Sequence, residues 1–146
     1  MSFESIPEET SALEQSPFKD VYFQTIKNRV ERLQEQGELP EEYVKGVLER
    51  AGYVEGPFEN EGDAEEKGRE FLSAVEPIAE FMRGLNNAET HLLNFSGDIN
   101  IAMETLETKV DISEEKKIKI SDDLQAIRNQ VDNYLNKIKA ARAQIV

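Results

Sequence analysis

The stretch ISDDLQAIRNQVDNYLNKIKAARAQIV, residues 120–146, contains neither glycine nor proline and repeats an apolar side chain at alternating steps of four and three residues. Such a repeat of 3.5 residues is typical of a coiled-coil seam, in which one apolar stripe packs against a neighbouring helix. An isolated helix with one apolar face gains too little stability from helix propensity alone. The stretch therefore predicts a helix that needs a partner helix, either from the same chain or from another copy.

The same repeat extends upstream to Phe71, which predicts one long coiled-coil or helical-bundle region over residues 61–146. Most of the polar residues that interrupt it cluster near two candidate breaks, one at Gly97 and one at Asp111. Glycine is common just after a helix, and Asp111 with a glutamate three residues later has the spacing of a capping box. We expect the chain to turn at one of these two breaks, so that residues 66–110 fold back on the last helix.

The N-terminal part contains signals for two further helices. Residues 1–16 are polar and acidic, and we expect them to form a flexible segment. Ser16-Pro17 supplies the N-cap and first-turn residues of a helix start, and Gly37 is placed to end that helix. Leu39-Pro40, followed by two glutamates, then opens a second helix that Gly52 ends. The short linker predicts that the two helices run antiparallel.

These signals divide the chain into a helical hairpin with a docking loop at residues 17–60 and the long helical region at residues 61–146. The boundary between them is rich in glycine and acidic residues, and we expect residues 60–63 to be an exposed loop. The predicted fold class is all-α: an N-terminal helical hairpin followed by a long helical hairpin or coiled coil, forming an elongated helical bundle.

Composition restricts the function classes. The formal net charge is −13, with the acids concentrated in residues 1–115 and a basic excess in residues 116–146. This asymmetry favours packing of the basic segment against the acidic middle, although basic residues also suit a helix C-terminus. The chain has no cysteine, no secretory signal pattern and no apolar run of membrane-spanning length. We expect a soluble, cytoplasmic protein that binds neither nucleic acid nor membranes directly.

Signatures of catalysis and of ligand binding are missing from the sequence. His91 is the only histidine, lacks the Glu-x-x-His spacing of a bundle metal site, and is expected at the surface. Glu89 falls on the apolar repeat, so it either marks an exposed bundle end or pairs with an arginine or a partner. No phosphate-binding loop or nucleophile motif occurs. We predict no catalytic residue, no metal site and no cofactor.

Two sets of residues are candidates for protein contacts. The first is the interaction seam on the last helix, which comprises Leu124, Ile127, Val131, Tyr134, Ile138 and Ile145. The second is a candidate partner patch of aromatic residues, which comprises Phe18, Tyr22, Phe23, Tyr43, Tyr53 and Phe58. At helical spacing these aromatics are mainly core residues, but a hairpin of this size does not shelter all six without help.

The leading hypothesis is a non-catalytic assembly or adaptor protein that acts through the coiled-coil seam. Its partners would be other proteins of unknown identity, and a homo-oligomer is one option. One alternative is an acidic inhibitor or nucleic-acid mimic that occupies the basic groove of a DNA- or RNA-handling enzyme, motivated by the excess of carboxylates. A further alternative is a secretion or folding chaperone that presents a helical groove to a client.

Overall fold

The computed structural model describes the backbone of residues 5–145 and the side chains of residues 18–145. Within this range the chain forms five helices and no strand, which confirms the all-α prediction. The helices are α1 (Ser5–Glu35), α2 (Glu41–Gly52), α3 (Glu61–Leu72), α4 (Glu76–Lys109) and α5 (Glu114–Ala143). They form two compact units, one up to Met82 and one at Arg83–Ile145, and α4 contributes to both.

Helix α1 begins at Ser5 rather than at Ser16-Pro17. Residues 8–15 contain mainly good helix formers, and Pro7 falls in the first turn, where a missing N–H is tolerated. Pro17 lies inside the helix. The structure places residues 5–16 in α1, where the sequence predicted a flexible segment, and residues 1–4 lie outside the described part of the chain.

Residues near the helix ends determine where α1 ends and α2 begins, as predicted. Gly37 has a positive φ of 76°. Its N–H donates to the Gln34 carbonyl at 3.0 Å, and the Glu38 N–H donates to the Leu33 carbonyl at 2.8 Å. This pair of bonds is a Schellman motif, which satisfies carbonyls at the helix end. Pro40 then holds an extended conformation as the N-cap of α2.

Helix α3 packs on α1. The first compact unit extends to Met82, whereas the sequence predicted a boundary after residue 60. Asn60 opens α3 by accepting a hydrogen bond from the Asp63 N–H at 2.8 Å, which replaces the predicted loop by a capped helix start. Gly68 permits the close approach of the two helices, because a Cβ there would lie 3.0 Å from the Thr25 side chain.

The core of the first unit lies between α1, α2, α3 and the first turns of α4. Its buried members are Tyr22, Ile26, Val30, Leu33, Leu39, Val44, Val47, Ala51, Ala64, Leu72, Val75 and Ala79. On α1 these side chains recur every three to four residues, so one face of the helix packs against both neighbours. This unit therefore has a continuous hydrophobic core of its own.

The second unit is a pair of long helices joined at residues 110–113. The turn lies at Asp111 and not at Gly97, which is inside α4. Glycine in a helix interior costs only about 1 kcal/mol relative to alanine, and long helices tolerate this cost. The N-cap of α5 is Ser113, whose hydroxyl accepts from the Lys116 N–H at 3.3 Å. We call this unit, residues 83–145, the hairpin.

Candidate interaction surface of the hairpin

Two side-chain contacts define how α4 and α5 lie against each other. Arg142 donates to the Glu89 carboxylate at 3.1 and 3.5 Å, and an Arg128 nitrogen lies 3.7 Å from the Met103 sulfur. The two contacts are fourteen residues apart on each helix, from 89 to 103 on α4 and from 128 to 142 on α5. The helices therefore run antiparallel in one constant register.

The buried stripe between the two helices is thin. Within residues 83–145 the buried apolar side chains are Ile99 and Leu106 on α4 and Val131 on α5. Half-buried apolar side chains extend the stripe at three- and four-residue spacing, namely Leu85, Leu92, Met103, Leu124, Leu135, Ile138 and Ile145. Two helices alone cover only one side of each other, so much apolar surface in this unit stays exposed.

The structure divides the predicted seam into two groups. Val131 is buried, and Leu124, Ile138 and Ile145 are half-buried, so these four lie on the stripe. Ile127 and Tyr134 are exposed, because the stripe of α5 continues through the residues that follow them, Arg128 and Leu135. The predicted face is therefore displaced by one residue at every second position.

Arginine side chains explain this displacement. Arg128 and Arg142 place their long apolar stems on the stripe, while their charged ends reach Met103 and Glu89 on α4. Of the three options left open for Glu89, the structure shows the pair with an arginine. The Arg142 Nε atom is buried and has no hydrogen-bond partner among the described residues. Glu89 and Arg142 are 26% and 28% exposed, so their pair defines the register more than it adds stability.

The displaced residues form a row on the outside of α5. Ile120, Ile127 and Tyr134 are spaced by seven residues, and they are 40%, 39% and 48% exposed. On α4, Phe95 is 44% exposed and Ala102 is also exposed. Each of these five residues directly precedes a half-buried residue; the five half-buried residues are Ser96, Met103, Ser121, Arg128 and Leu135. We call Phe95, Ala102, Ile120, Ile127 and Tyr134 the outer strip.

All five residues of the outer strip lie on one face of the hairpin. In an antiparallel pair, a twofold axis normal to the plane of the two helices relates one to the other. The residues that directly precede stripe residues on α4 and those that do so on α5 therefore lie on the same face of the hairpin. In the observed register position 95 is level with 136, and 102 is level with 129. Phe95 and Tyr134, like Ala102 and Ile127, thus differ by about 3 Å along the helix axis.

The candidate partner patch in the first unit has a different role. Tyr22 is buried, Phe18, Phe23, Tyr43 and Phe58 are partly buried against the core, and Tyr53 alone is largely exposed, at 74%. The six residues therefore do not form one exposed surface. Because Tyr22 is removed from water, the pKa of its hydroxyl is raised.

These aromatics hold the loop after α2 against α1 and α3. The Phe58 ring stacks on Tyr22 with centroids 5.0 Å apart, and Phe71 meets Tyr22 edge-on at 6.4 Å. Lys67 lies 5.7 Å from the Phe58 ring centre and donates to the Pro57 carbonyl at 2.9 Å. An open cavity of about 360 Å³ remains beside this cluster. Its lining is mainly apolar and belongs to the packing of the loop.

A second open cavity, of about 560 Å³, adjoins an ion pair in the first unit. Arg29 on α1 makes a two-pronged contact with the Glu76 carboxylate at 2.7 and 2.8 Å. The hydrogen bond with Glu76 raises the pKa of the Arg29 guanidinium. Both groups are thus paired with each other, and the pair connects α1 to the start of α4.

Chemistry-bearing side chains do not converge elsewhere in the described residues. His91 is exposed, as predicted. The described part of the chain contains no group of three His, Cys, Asp or Glu side chains placed to hold a metal ion. Of the helices within residues 5–145, none combines the length and apolarity that a membrane span requires. Comparisons with protein-family models, curated proteins and solved structures find no match to this chain.

Proposed function

We propose that this protein is a non-catalytic helical interaction protein that takes part in assembling a protein complex. In this proposal the hairpin is the binding element, and the outer strip is its contact surface. The observation that supports it most directly is the heptad spacing of exposed Ile120, Ile127 and Tyr134. A seven-residue spacing is the one with which side chains of one helix enter the holes of a neighbouring helix.

The energetics of the hairpin point the same way. Only three of its apolar side chains are buried among residues 83–145, whereas the outer strip leaves four large apolar side chains in water. Covering about 80 Å² of apolar surface on such a side chain contributes about 2 kcal/mol. A partner helix that covers the strip therefore stabilises the hairpin by burying apolar surface that the hairpin alone leaves exposed.

Substitution of the strip tests the proposal. We expect the double variant Ile127→Asp, Tyr134→Asp to keep its helicity, because both side chains are exposed in the free chain, and to lose its protein contacts. Ile101→Asp is the matched control, since Ile101 is 62% exposed on the far side of α4 from the stripe. The measurement is chemical cross-linking with mass spectrometry in the source cells, with circular dichroism of each purified variant. Unchanged cross-links in the double variant would contradict the proposal.

A further inference from the structure

We propose that the outer strip binds a second copy of this chain, so that two hairpins form a twofold-symmetric bundle of four helices. In this bundle α4 of each copy packs against α5 of the other. The inference rests on the proposed function, because it names the partner of the same surface. It is carried by three properties of the strip: its self-complementary shape, the charges along its edges, and its size.

The shape of the strip is self-complementary. A twofold axis parallel to the helices leaves every residue at its own level and places α4 of one copy over α5 of the other. Phe95 then meets Tyr134 of the second copy, because the two differ by about 3 Å along the axis. Ala102 meets Ile127 of the second copy in the same way. Each layer thus combines either two aromatic rings, which favour offset or edge contacts, or a small side chain with a large one.

Charges along the edges of the strip are complementary in the same arrangement. Asp98 lies beside the strip on α4, and Lys109 continues the row of Phe95 and Ala102 at the end of that helix. Asp123 and Lys137 lie beside the strip on α5, and all four residues are exposed. Position 109 is level with 122, so Lys109 lies opposite Asp123 of the second copy. Position 98 is level with 133, so Asp98 lies within about 6 Å, along the axis, of Lys137 of the second copy. Symmetry repeats both pairs.

The overall charge of the helices selects this arrangement over the other twofold packing. Helix α4 carries more acidic than basic residues, and α5 carries more basic than acidic residues. An axis perpendicular to the helices would stack α4 on α4 and α5 on α5, so like charges would face each other. The axis parallel to the helices places opposite charges together instead, which lowers the electrostatic energy of the dimer.

The face that carries the strip is large enough for a specific dimer. Residues 83–109 of α4 extend about 40 Å at 1.5 Å per residue, and two adjacent helices are about 20 Å wide. The face therefore offers roughly 800 Å² per copy, which is the size of a standard specific interface. Its centre is apolar and its edges are charged, as is usual for such interfaces.

Sedimentation equilibrium of the full chain measures the predicted association. One copy has a mass of 16.6 kDa, and we expect about twice that mass at micromolar concentration. Ile127→Asp with Tyr134→Asp places two carboxylates in the centre of the interface, and we expect the dissociation constant to rise about 100-fold or more. Ile101→Asp, which lies outside the strip, leaves the dissociation constant unchanged.

A charge exchange tests the orientation of the two copies. Lys109→Glu places a carboxylate opposite Asp123 of the second copy, and we expect association to weaken about 2- to 10-fold. Adding Asp123→Lys to the same chain restores opposite charges across the interface and recovers the original affinity. Equal weakening in the single and the double variant would overturn the arrangement.

The same samples separate this inference from the proposed function. If the chain is still a monomer at about 0.1 mM, 100-fold above about 1 μM, the proposed binding of a second copy is overturned. If such a monomer still formed cross-links to another protein that depend on Ile127 and Tyr134, the strip would remain an interaction surface with a different partner. A monomer without any strip-dependent cross-link would overturn both.

Discussion

Replacing Val131 by aspartate perturbs the most enclosed position of α5. Val131 is 3% exposed and is the one buried apolar side chain among the described residues of that helix. It lies at the middle of the stripe, and the hairpin has only two other buried apolar side chains within residues 83–145. The hairpin therefore has little further apolar burial with which to compensate for its loss.

The expected cost follows from the burial of this side chain. Removing its two methyl groups, as in Val131→Ala, costs about 2 kcal/mol from lost burial and the cavity left behind. Aspartate adds the cost of bringing a carboxylate into an apolar stripe, which exceeds the about 1 to 3 kcal/mol that a neutral polar group costs in protein mutational data. We therefore expect at least about 4 kcal/mol for Val131→Asp. The matched control Asp132→Ala, at an exposed neighbouring position, costs less than about 0.5 kcal/mol.

Amide hydrogen exchange resolved along the sequence is the appropriate assay. We expect Val131→Asp to abolish protection of amides in α5 and in the part of α4 after Met82. Protection in α1, α2 and α3 should persist, because those helices have their own core. Unchanged protection of α5 in the aspartate variant would refute the buried stripe. Simultaneous loss of protection in both units would refute their separate stability.

Three further predictions concern single side chains. Gly68→Ala should destabilise the first unit by about 1 to 3 kcal/mol, because the new Cβ would lie 3.0 Å from a side chain of α1. Gly84→Ala should instead stabilise α4 by up to about 1 kcal/mol, because the new Cβ would meet no atom within 4 Å. Arg142→Leu should change stability by no more than about 1 kcal/mol, since its ion pair with Glu89 is more than a quarter exposed. The pKa of Asp63 should lie below its ordinary value, chiefly because its carboxylate accepts a backbone hydrogen bond. A depressed pKa in the folded chain means that this contribution is present above about pH 4 and is lost as the pH falls through the folded value.

Thermal denaturation measures the two glycine variants and the arginine variant, and carbon-detected NMR titration measures the carboxyl group. Equal melting temperatures for Gly68→Ala and Gly84→Ala would contradict the close contact between α1 and α3. A loss of several kcal/mol in Arg142→Leu would show that the pair with Glu89 contributes far more than its exposure implies. An Asp63 carboxyl that titrates at or above the ordinary range would contradict the hydrogen bond that this carboxylate accepts from the Glu59 N–H at 2.9 Å.

Local sequence signals were sufficient where a helix end depends on nearby residues. Gly37 ends α1, Pro40 precedes α2 and Gly52 ends α2, because a positive φ, a missing N–H or a flexible residue acts within one turn of the chain. The start of α1 was predicted too late. Ser16-Pro17 has the chemistry of a helix start, yet the structure places Pro17 inside α1, where proline is usually unfavourable.

Contacts between residues far apart in the sequence could not be predicted from helix signals alone. The sequence around Gly68 does not indicate that α3 packs on α1. The need for glycine at this position comes from the close approach of Thr25, which lies on another helix. The aromatic residues from Phe18 to Phe58 were candidates for both core and surface, and the docked loop decided in favour of the core for five of the six. Burial depends on the partner element, which the spacing of a single helix does not identify.

By itself, the sequence determined that the chain is helical and that its last helix carries a stripe with a 3.5-residue repeat. It did not determine whether Ile127 and Tyr134 or the residues that follow them, Arg128 and Leu135, complete that stripe. Either row alternates with Leu124, Val131 and Ile138 at three- and four-residue steps. The tertiary structure decided in favour of the row with Arg128, since α4 offers partners for arginine ends along the stripe. The more apolar row was left outside because packing free energy depends on the complementary surface and not on the apolarity of one helix alone.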